Sequence, residues 1–223
     1  MGFYQRLIPK QSCILCMEQA KFCVCEACEA EFSNQQNRCQ SCAYPINGNL
    51  DFCGQCLNHS PVFNRAYTLY DYQDLVAQLI KSFKYSQQLC IGDYFAHKLA
   101  DKYQLLQDYD AIIPMPLSCQ RIRERGFNQV LELLSVIKKK PQVIVDTHSI
   151  KRIKATQSLE SLNPEQRQKE VKGAFYADLI SYQRVLLVDD VMTTGASLNE
   201  LAKTVIKAGA KTCDVLTLSR AKF

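Results

Sequence analysis

With 223 residues, 47% of them hydrophobic, and a formal net charge of +5, the chain can bury one sizeable core with an appendage, or two small domains; a disordered or fibrous protein is excluded. No apolar run approaches the ~20 residues of a membrane span, and "MGFYQRLIPKQSC" lacks the charged start, long apolar stretch and small-residue cleavage site of a secretory signal. No transmembrane segment and a cytoplasmic location are therefore expected. The charge is concentrated: residues 121–172 hold twelve Lys/Arg against six Asp/Glu, a local +6 that leaves the remainder near −1.

The chain opens on cysteines. Nine of the twelve fall within residues 13–56, and eight of those form CxxC pairs: Cys13/Cys16, Cys25/Cys28, Cys39/Cys42 and Cys53/Cys56. In a reducing compartment this spacing points to metal before disulfides. A CxxC turn lets two thiolates face one tetrahedral Zn²⁺ at about 2.3 Å, and two turns close a structural site. Four turns suffice for one or two ions, whose binding would supply folding free energy to a stretch poor in aliphatic residues. Consecutive pairing gives two tandem zinc ribbons and crossed pairing an interleaved brace; the spacing allows both. Cys23 is an alternative ligand to Cys25, and His59 is either a substitute ligand or a linker histidine. Cys90, Cys119 and Cys213 stand alone in apolar contexts and are expected in the core.

The cysteine pairs stop near "CLNHSPVF", which places a domain boundary near Ser60 and divides residues 1–60 from 61–223. "FNRAYTLYDY" then reads as a strand or hairpin. "DLVAQLIKSFKY" has Leu75, Leu79, Ile80 and Phe83 at helical spacing behind a capping Asp71 or Asp74. "IGDYFAHKLADKYQLL" is a second amphipathic helix and "YDAIIPMP" a short buried strand. A helix is predicted from about Asn128 to Lys138, carrying Leu131, Leu133, Leu134 and Ile137, and "PQVIVDTHSI" is a further strand candidate. Beyond a polar stretch without clear period come the strand "RVLLVD", the helix "SLNELAKTVIKAGA" and the strand "KTCDVLTLSRA". Apolar strands alternating with helices imply an α/β parallel sheet with helices on both faces.

The chemistry collects at "RVLLVDDVMTTGAS", residues 184–197. A strand that turns into a helix leaves its last residues at the carboxyl edge of the sheet, where ligand sites of open α/β folds gather. There a small-residue loop and the positive end of a helix can hold a phosphate. Two carboxylates just upstream suit ribose hydroxyls or a divalent cation. "PMPLS" is a tight loop at the same edge, and Arg121, Arg123 and Arg125 can neutralise a pyrophosphate or contact a nucleic-acid backbone. Gly126, Phe127 and Asn128 form a turn into the next helix, with Phe127 placed for base stacking or core packing.

"VLLVDDVMTTGAS" resembles, over its full length, the phosphoribosyl pyrophosphate (PRPP) signature of type I phosphoribosyltransferases. The resemblance implies that Asp189 and Asp190 hold the ribose hydroxyls, with Mg²⁺ accompanying PRPP. It gives the 5-phosphate to Val191, Met192, Thr193, Thr194, Gly195, Ala196 and Ser197, and the pyrophosphate to the loop Pro114, Met115, Pro116 and Leu117. "IIPMPLSCQRIRERGFNQ" is similar to the segment that marks the ComF/GntX family of competence-associated proteins, and so, in order, are the cysteine pairs, "SFKY", "ATQSLESL" and "KGAF". That family joins a double zinc ribbon to a type I phosphoribosyltransferase-like domain. It implies a hood over PRPP with Arg152, Thr156 and Gln157 at matching positions. Glu170 stands where the family usually carries an asparagine.

The implied function is natural transformation: a cytoplasmic protein that binds PRPP or a related phosphorylated ribose and handles incoming single-stranded DNA beside a competence helicase at the inner membrane. The +6 segment, with Arg121, Arg123, Arg125 and Arg152, suits tracking of a nucleic-acid backbone. Two other readings stand beside it: an active phosphoribosyltransferase in nucleotide salvage, and an accessory of carbon or phosphate metabolism.

Overall fold

The computed structural model describes residues 11–32, 37–86, 88–106, 109–154 and 164–222; Thr156 and Gln157 lie outside them. The cysteine module opens with a two-stranded antiparallel ribbon, β1 (Gln11–Ser12) and β2 (Gln19–Ala20), followed by the short helices α1 (Glu26–Ala30) and α2 (Gly54–Asn58). Two knuckles repeat one local geometry. Met17 and Ala43, each directly after the second cysteine of a pair, take left-handed φ of 67° and 55°. Each returns its N–H to the carbonyl of the first cysteine, Met17 to Cys13 at 2.8 Å and Ala43 to Cys39 at 2.9 Å. Such a conformation costs a side chain about 1–2 kcal/mol, and it closes the turn that aims both sulfurs to one side.

Pairing is consecutive. The sulfurs of Cys13, Cys16, Cys25 and Cys28 lie within 4.8 Å of one another, as do those of Cys39, Cys42, Cys53 and Cys56. The Cys16–Cys25 and Cys42–Cys53 separations are both 3.6 Å, close to the edge of about 3.8 Å that four sulfurs at zinc distance require. Burial works against ionising Cys13 and Cys39. Backbone N–H groups outweigh it and bring their thiols to about 6 and about 7. Both clusters thus fit a tetrahedral zinc site. Cys23 is buried in the neighbouring core and His59 is exposed; neither belongs to a cluster.

The rest of the chain builds a four-stranded parallel sheet in the order β3 (Ala66–Asp71), β8 (Thr212–Arg220), β7 (Arg184–Met192), β4 (Ala111–Pro114). Between β3 and β4 run α3 (Asp74–Tyr85) and α4 (Leu89–Gln104); after β4 come α5 (Cys119–Arg125) and α6 (Gln129–Leu133). The hairpin of β5 (Ile150–Arg152) and β6 (Phe175–Ala177) brackets α7 (Pro164–Val171), and α8 (Ala196–Lys207) joins β7 to β8. The crossover from β3 to β4 and that from β7 to β8 run in opposite directions. Right-handed connections then put α3 and α4 on one face and α8 on the other. Among the described residues no helix is long and apolar enough to cross a membrane.

The cysteine module packs into this core. Cys23, Val24, Phe32 and Ala43 belong to the same hydrophobic cluster as Ile80, Phe95 and Leu186. Its polar ties are Arg38 to Asp71 at 2.7 Å, Lys98 to Glu29 at 2.6 Å, and the Ala66 N–H donated to Ser41 at 2.8 Å.

Four local expectations need correction. The cap of α3 is Gln73, without a side-chain bond: Asp71 accepts instead from Arg38 and Lys222, while Asp74 is already the first helical residue. The helix expected to reach Lys138 stops at Leu133 and resumes as a 3₁₀ turn at Ile137–Lys139; the turn between them leaves both Leu134 and Ile137 fully buried. "PQVIVDTHSI" makes a single parallel bridge, Val145 to Ile112. Asp146 then turns the chain by accepting from the N–H groups of His148 and Ser149 at 2.9 and 3.0 Å. Cys90 and Cys119, in the first turns of α4 and α5, are exposed, and of the three lone cysteines only Cys213 is buried.

Two outcomes follow from this packing. A methyl group on Gly92 would stand 2.6 Å from Cε2 of the fully buried Phe83. Gly92→Ala should therefore destabilise by about 1–3 kcal/mol despite its better helix propensity, and lower Tm in a thermal scan by about 2–12 °C; an unchanged Tm would show that the ring yields. Elemental analysis should find two zinc ions per chain and one in Cys16→Ser, since the clusters share no ligand; one ion in the wild type would contradict the consecutive pairing.

Candidate functional site

Because the four strands are parallel, all their carboxyl ends meet at one edge. A cleft of about 790 Å³ opens there, floored by Asp189 and Asp190 and walled by Met115 and Leu117 after β4 and by the loop from Val191 to Leu198. Lys81 and Lys84 enter from α3, Arg121 and Arg125 from α5, and Arg152 from β5. These five cations face three carboxylates, those of Glu124, Asp189 and Asp190, so the cleft is built for an anion.

The adjacent aspartates are not equivalent, since successive strand residues point to opposite faces of a sheet. Asp190 is buried; its Oδ1 accepts from Lys84 Nζ at 2.9 Å and its Oδ2 from Gln129 Nε2 at 2.8 Å. Burial alone would raise its pKa, but Lys84 and Gln129 hold it below the ordinary range. Asp189 is only half-buried, and its Oδ1 accepts the N–H of Asp190 at 2.9 Å. Burial first, and then the charge of Asp190, push Asp189 up to about 7. Asp190 is thus engaged by a lysine and a side-chain amide of the protein, while Asp189 is the carboxylate left to meet a ligand.

The loop between β7 and α8 turns on Gly195, whose φ of 77° favours glycine. Gly195 caps α8 through its carbonyl, which accepts from Asn199 N–H at 2.8 Å, and Thr194 Oγ1 receives the Ala196 N–H at 3.4 Å. The first donors of a helix have no intrahelical acceptor, and the dipole adds positive potential. In α8 both features sit beside the cleft.

Behind this loop lies Arg220, the last residue of β8, 1% exposed. Its Nε donates to the Cys42 carbonyl at 3.0 Å, and its Nη1 donates to the carbonyls of Met192 at 3.1 Å, Ala221 at 2.9 Å and Thr193. Burial lowers its pKa, an effect that Cys42 and Cys53 oppose.

All nine residues from Asp189 to Ser197 line the cleft, as do Met115, Leu117, Arg121, Arg125 and Arg152. Pro114 is the buried end of β4, Pro116 is off the lining, and Arg123 is exposed and outside it. Phe127 packs on Phe83, with ring centroids 5.8 Å apart. The Arg125 guanidinium lies 5.4 Å from the ring of Tyr85 at the rim, and that of Arg152 lies 5.5 Å from Phe175. Sequence reasoning passed over Lys81, Lys84, Tyr85, Gln129 and Arg220. A signal existed for Lys84, which sits in "SFKY" beside the buried face of α3.

No family model matches the chain. Among curated proteins it is 30% identical to Competence protein F of Haemophilus influenzae over 94% of this chain and 96% of the relative. It is 28% identical to the DNA utilization protein YhgH of Escherichia coli K12, over 88% of this chain and 90% of the relative. It is 24% identical to Competence protein ComFC of Streptococcus pneumoniae, over 93% and 91%. With two four-cysteine clusters ahead of a parallel α/β sheet, and that identity along nearly the whole length of both chains, the protein belongs to the ComF family of competence-associated proteins.

Proposed function

We propose that the protein serves DNA utilization in natural transformation, with the cleft binding PRPP or a related phosphorylated ribose and the neighbouring basic surface binding single-stranded DNA. The observation that carries this reading is the division of labour in the cleft: one half-exposed carboxylate beside a small-residue loop at a helix start, ringed by five cations. The carboxylate of Asp189 accepts from ribose hydroxyls, and the 5-phosphate takes the amides and hydroxyls of Thr193 to Ser197. The diphosphate meets Arg121, Arg125 and Arg152. Mg²⁺ carried with the diphosphate would neutralise part of its charge, and Asp189 would be its carboxylate ligand.

The same Asp189, pushed up to about 7 by burial and by the charge of Asp190, could take a proton near neutral pH as a general base does. That favours a second reading, transfer of phosphoribose to a nitrogen base. Pyrophosphate release from PRPP that depends on one particular base would establish it.

For DNA, Arg121, Arg123 and Arg125 on α5 continue from the cleft rim onto the surface, and Tyr85 at the rim, 63% exposed, offers a face for stacking a base. The names of the relatives, Competence protein F and DNA utilization protein, support this assignment. A competence helicase at the membrane is the partner to which such a protein would pass the strand.

Calorimetry with PRPP and Mg²⁺ tests the site. Asp189→Ala should weaken binding at least tenfold; Asp190→Ala is the poorer probe because it strands Lys84. A cationic ligand centre favours the ionised carboxylate, so affinity should strengthen as pH rises through about 7, and Asp189→Asn should flatten that dependence. No binding by the wild type would overturn the reading. For DNA, fluorescence anisotropy against salt should show Arg123→Ala with Arg125→Ala lowering the slope of log affinity by about 1.4, two lost phosphate contacts; an unchanged slope removes α5 from the DNA surface. Transformation frequency should fall with PRPP binding in Asp189→Ala, and transformation at the wild-type level without binding would uncouple the two.

A further inference from the structure

We propose that Arg220 makes the second cysteine cluster a working part of the phosphate loop, so that metal held by Cys39, Cys42, Cys53 and Cys56 sets how tightly the cleft holds a phosphate, whereas the first cluster does not. The ligand named rests on the reading of the cleft given above; the mechanical coupling does not.

Arg220 lies opposite Met192 in the β7–β8 ladder, which brings its guanidinium to the point where β7 becomes the loop. There it is sealed from solvent and donates to carbonyls on both sides: Cys42, a ligand of the second cluster, and Met192 and Thr193, which begin the loop. The Ala221 N–H adds a bond to Met192 O at 3.0 Å. A trans peptide is planar, with its C=O and N–H pointing in opposite directions. Carbonyls of Met192 and Thr193 drawn back toward Arg220 therefore turn the N–H groups of Thr193 and Thr194 the other way, and both residues line the ligand cleft. Arg220 thus presets donors for a phosphate without touching it.

The cluster in turn secures Arg220. Its guanidinium lies 5.3 Å from the ring of Tyr44, which packs on the four sulfurs. Four thiolates around Zn²⁺ carry a formal charge of about −2, a counter-charge to a cation buried beside Cys42. A second, smaller cleft of about 410 Å³ has Cys42, Cys56 and Arg220 on one side and Met192, Thr194, Gly195 and Ala196 on the other. The loop is therefore a partition, with the metal module behind it and the ligand in front. Val62, just beyond α2, adds a tie by donating its N–H to Asn199 of α8 at 2.6 Å.

The first cluster has different neighbours. Phe22 packs on His97 with ring centroids 4.8 Å apart, and Glu29 pairs with Lys98. It braces α4, on the opposite face of the sheet from α8. Two clusters with the same ligands are thus predicted to differ in their effect on the site.

Hydrogen exchange in the ligand-free full-length protein, read at residues 193–197, tests the coupling alongside PRPP affinity by calorimetry. Arg220→Lys, which keeps the charge but loses the fork, and Cys53→Ser, which opens the second cluster, should each speed loop exchange and weaken PRPP at least tenfold. Cys16→Ser, which opens the first, should leave both within twofold. Tm and zinc content recorded for every variant identify global unfolding, and if Arg220→Lys does not fold, the contrast between Cys53→Ser and Cys16→Ser decides. Loop exchange unchanged in Arg220→Lys and Cys53→Ser, or altered equally by Cys16→Ser, overturns the proposal. A loop that responds as expected in a protein that binds no PRPP upholds the coupling and overturns the reading of the cleft instead.

Discussion

The parallel seating of β7 between β4 and β8 is the constraint on which everything else in this protein rests. It buries Val185 to Val188 completely and holds four strand ends at a single edge. It also decides the difference between neighbouring aspartates. Because side chains alternate along a strand, Asp190 turns toward α3 and α6, where Lys84 and Gln129 engage it, while Asp189 turns into the cleft. The same register sets Arg220 beside Met192. One strand pairing therefore explains which carboxylate is available, which is neutralised, and why the loop that follows has a guanidinium at its back.

Seen from the sheet, the cysteine module is not a bead on a string. Val24, Phe32 and Ala43 share the main hydrophobic cluster, and Arg38 reaches Asp71 at the end of β3. A segment with so few aliphatic residues gains little from burial alone. Metal closure of the knuckles would supply local order, and contact with the larger core supplies position. The left-handed Met17 and Ala43 show the division of effort: each local penalty is tolerated because it aims two sulfurs at a common centre.

The cleft combines a cation-rich wall with one carboxylate pushed up to about 7, chemistry compatible with binding and with proton transfer alike. Fold alone does not choose between these. The chain belongs to a competence-protein family, and the arginines of α5 run from the cleft lining, at Arg121 and Arg125, to the exposed Arg123.

Much of this was legible in the chain itself, for reasons of locality. A CxxC pair spans four residues, and "RVLLVDDVMTTGAS" carries strand, acids, loop and helix start within fourteen, so spacing and periodicity sufficed to place the cysteine clusters and the loop at the carboxyl end of β7. The misread elements were those where tertiary contact overrode local pattern: the shortened helix before Ile137, the single bridge at Val145, and Asp71 drawn from capping into ion pairs. The order of residues specified the chemistry on offer: thiolates in fours, adjacent carboxylates, a loop of small residues and a basic segment. It took the packed fold to bring Lys84 to Asp190 across 106 residues and Arg220 to Cys42 across 178. A lysine on an amphipathic helix or an arginine at a strand end has the same local signature whether it faces water or a buried partner, because pairing at such a distance is set by how the strands are laid side by side.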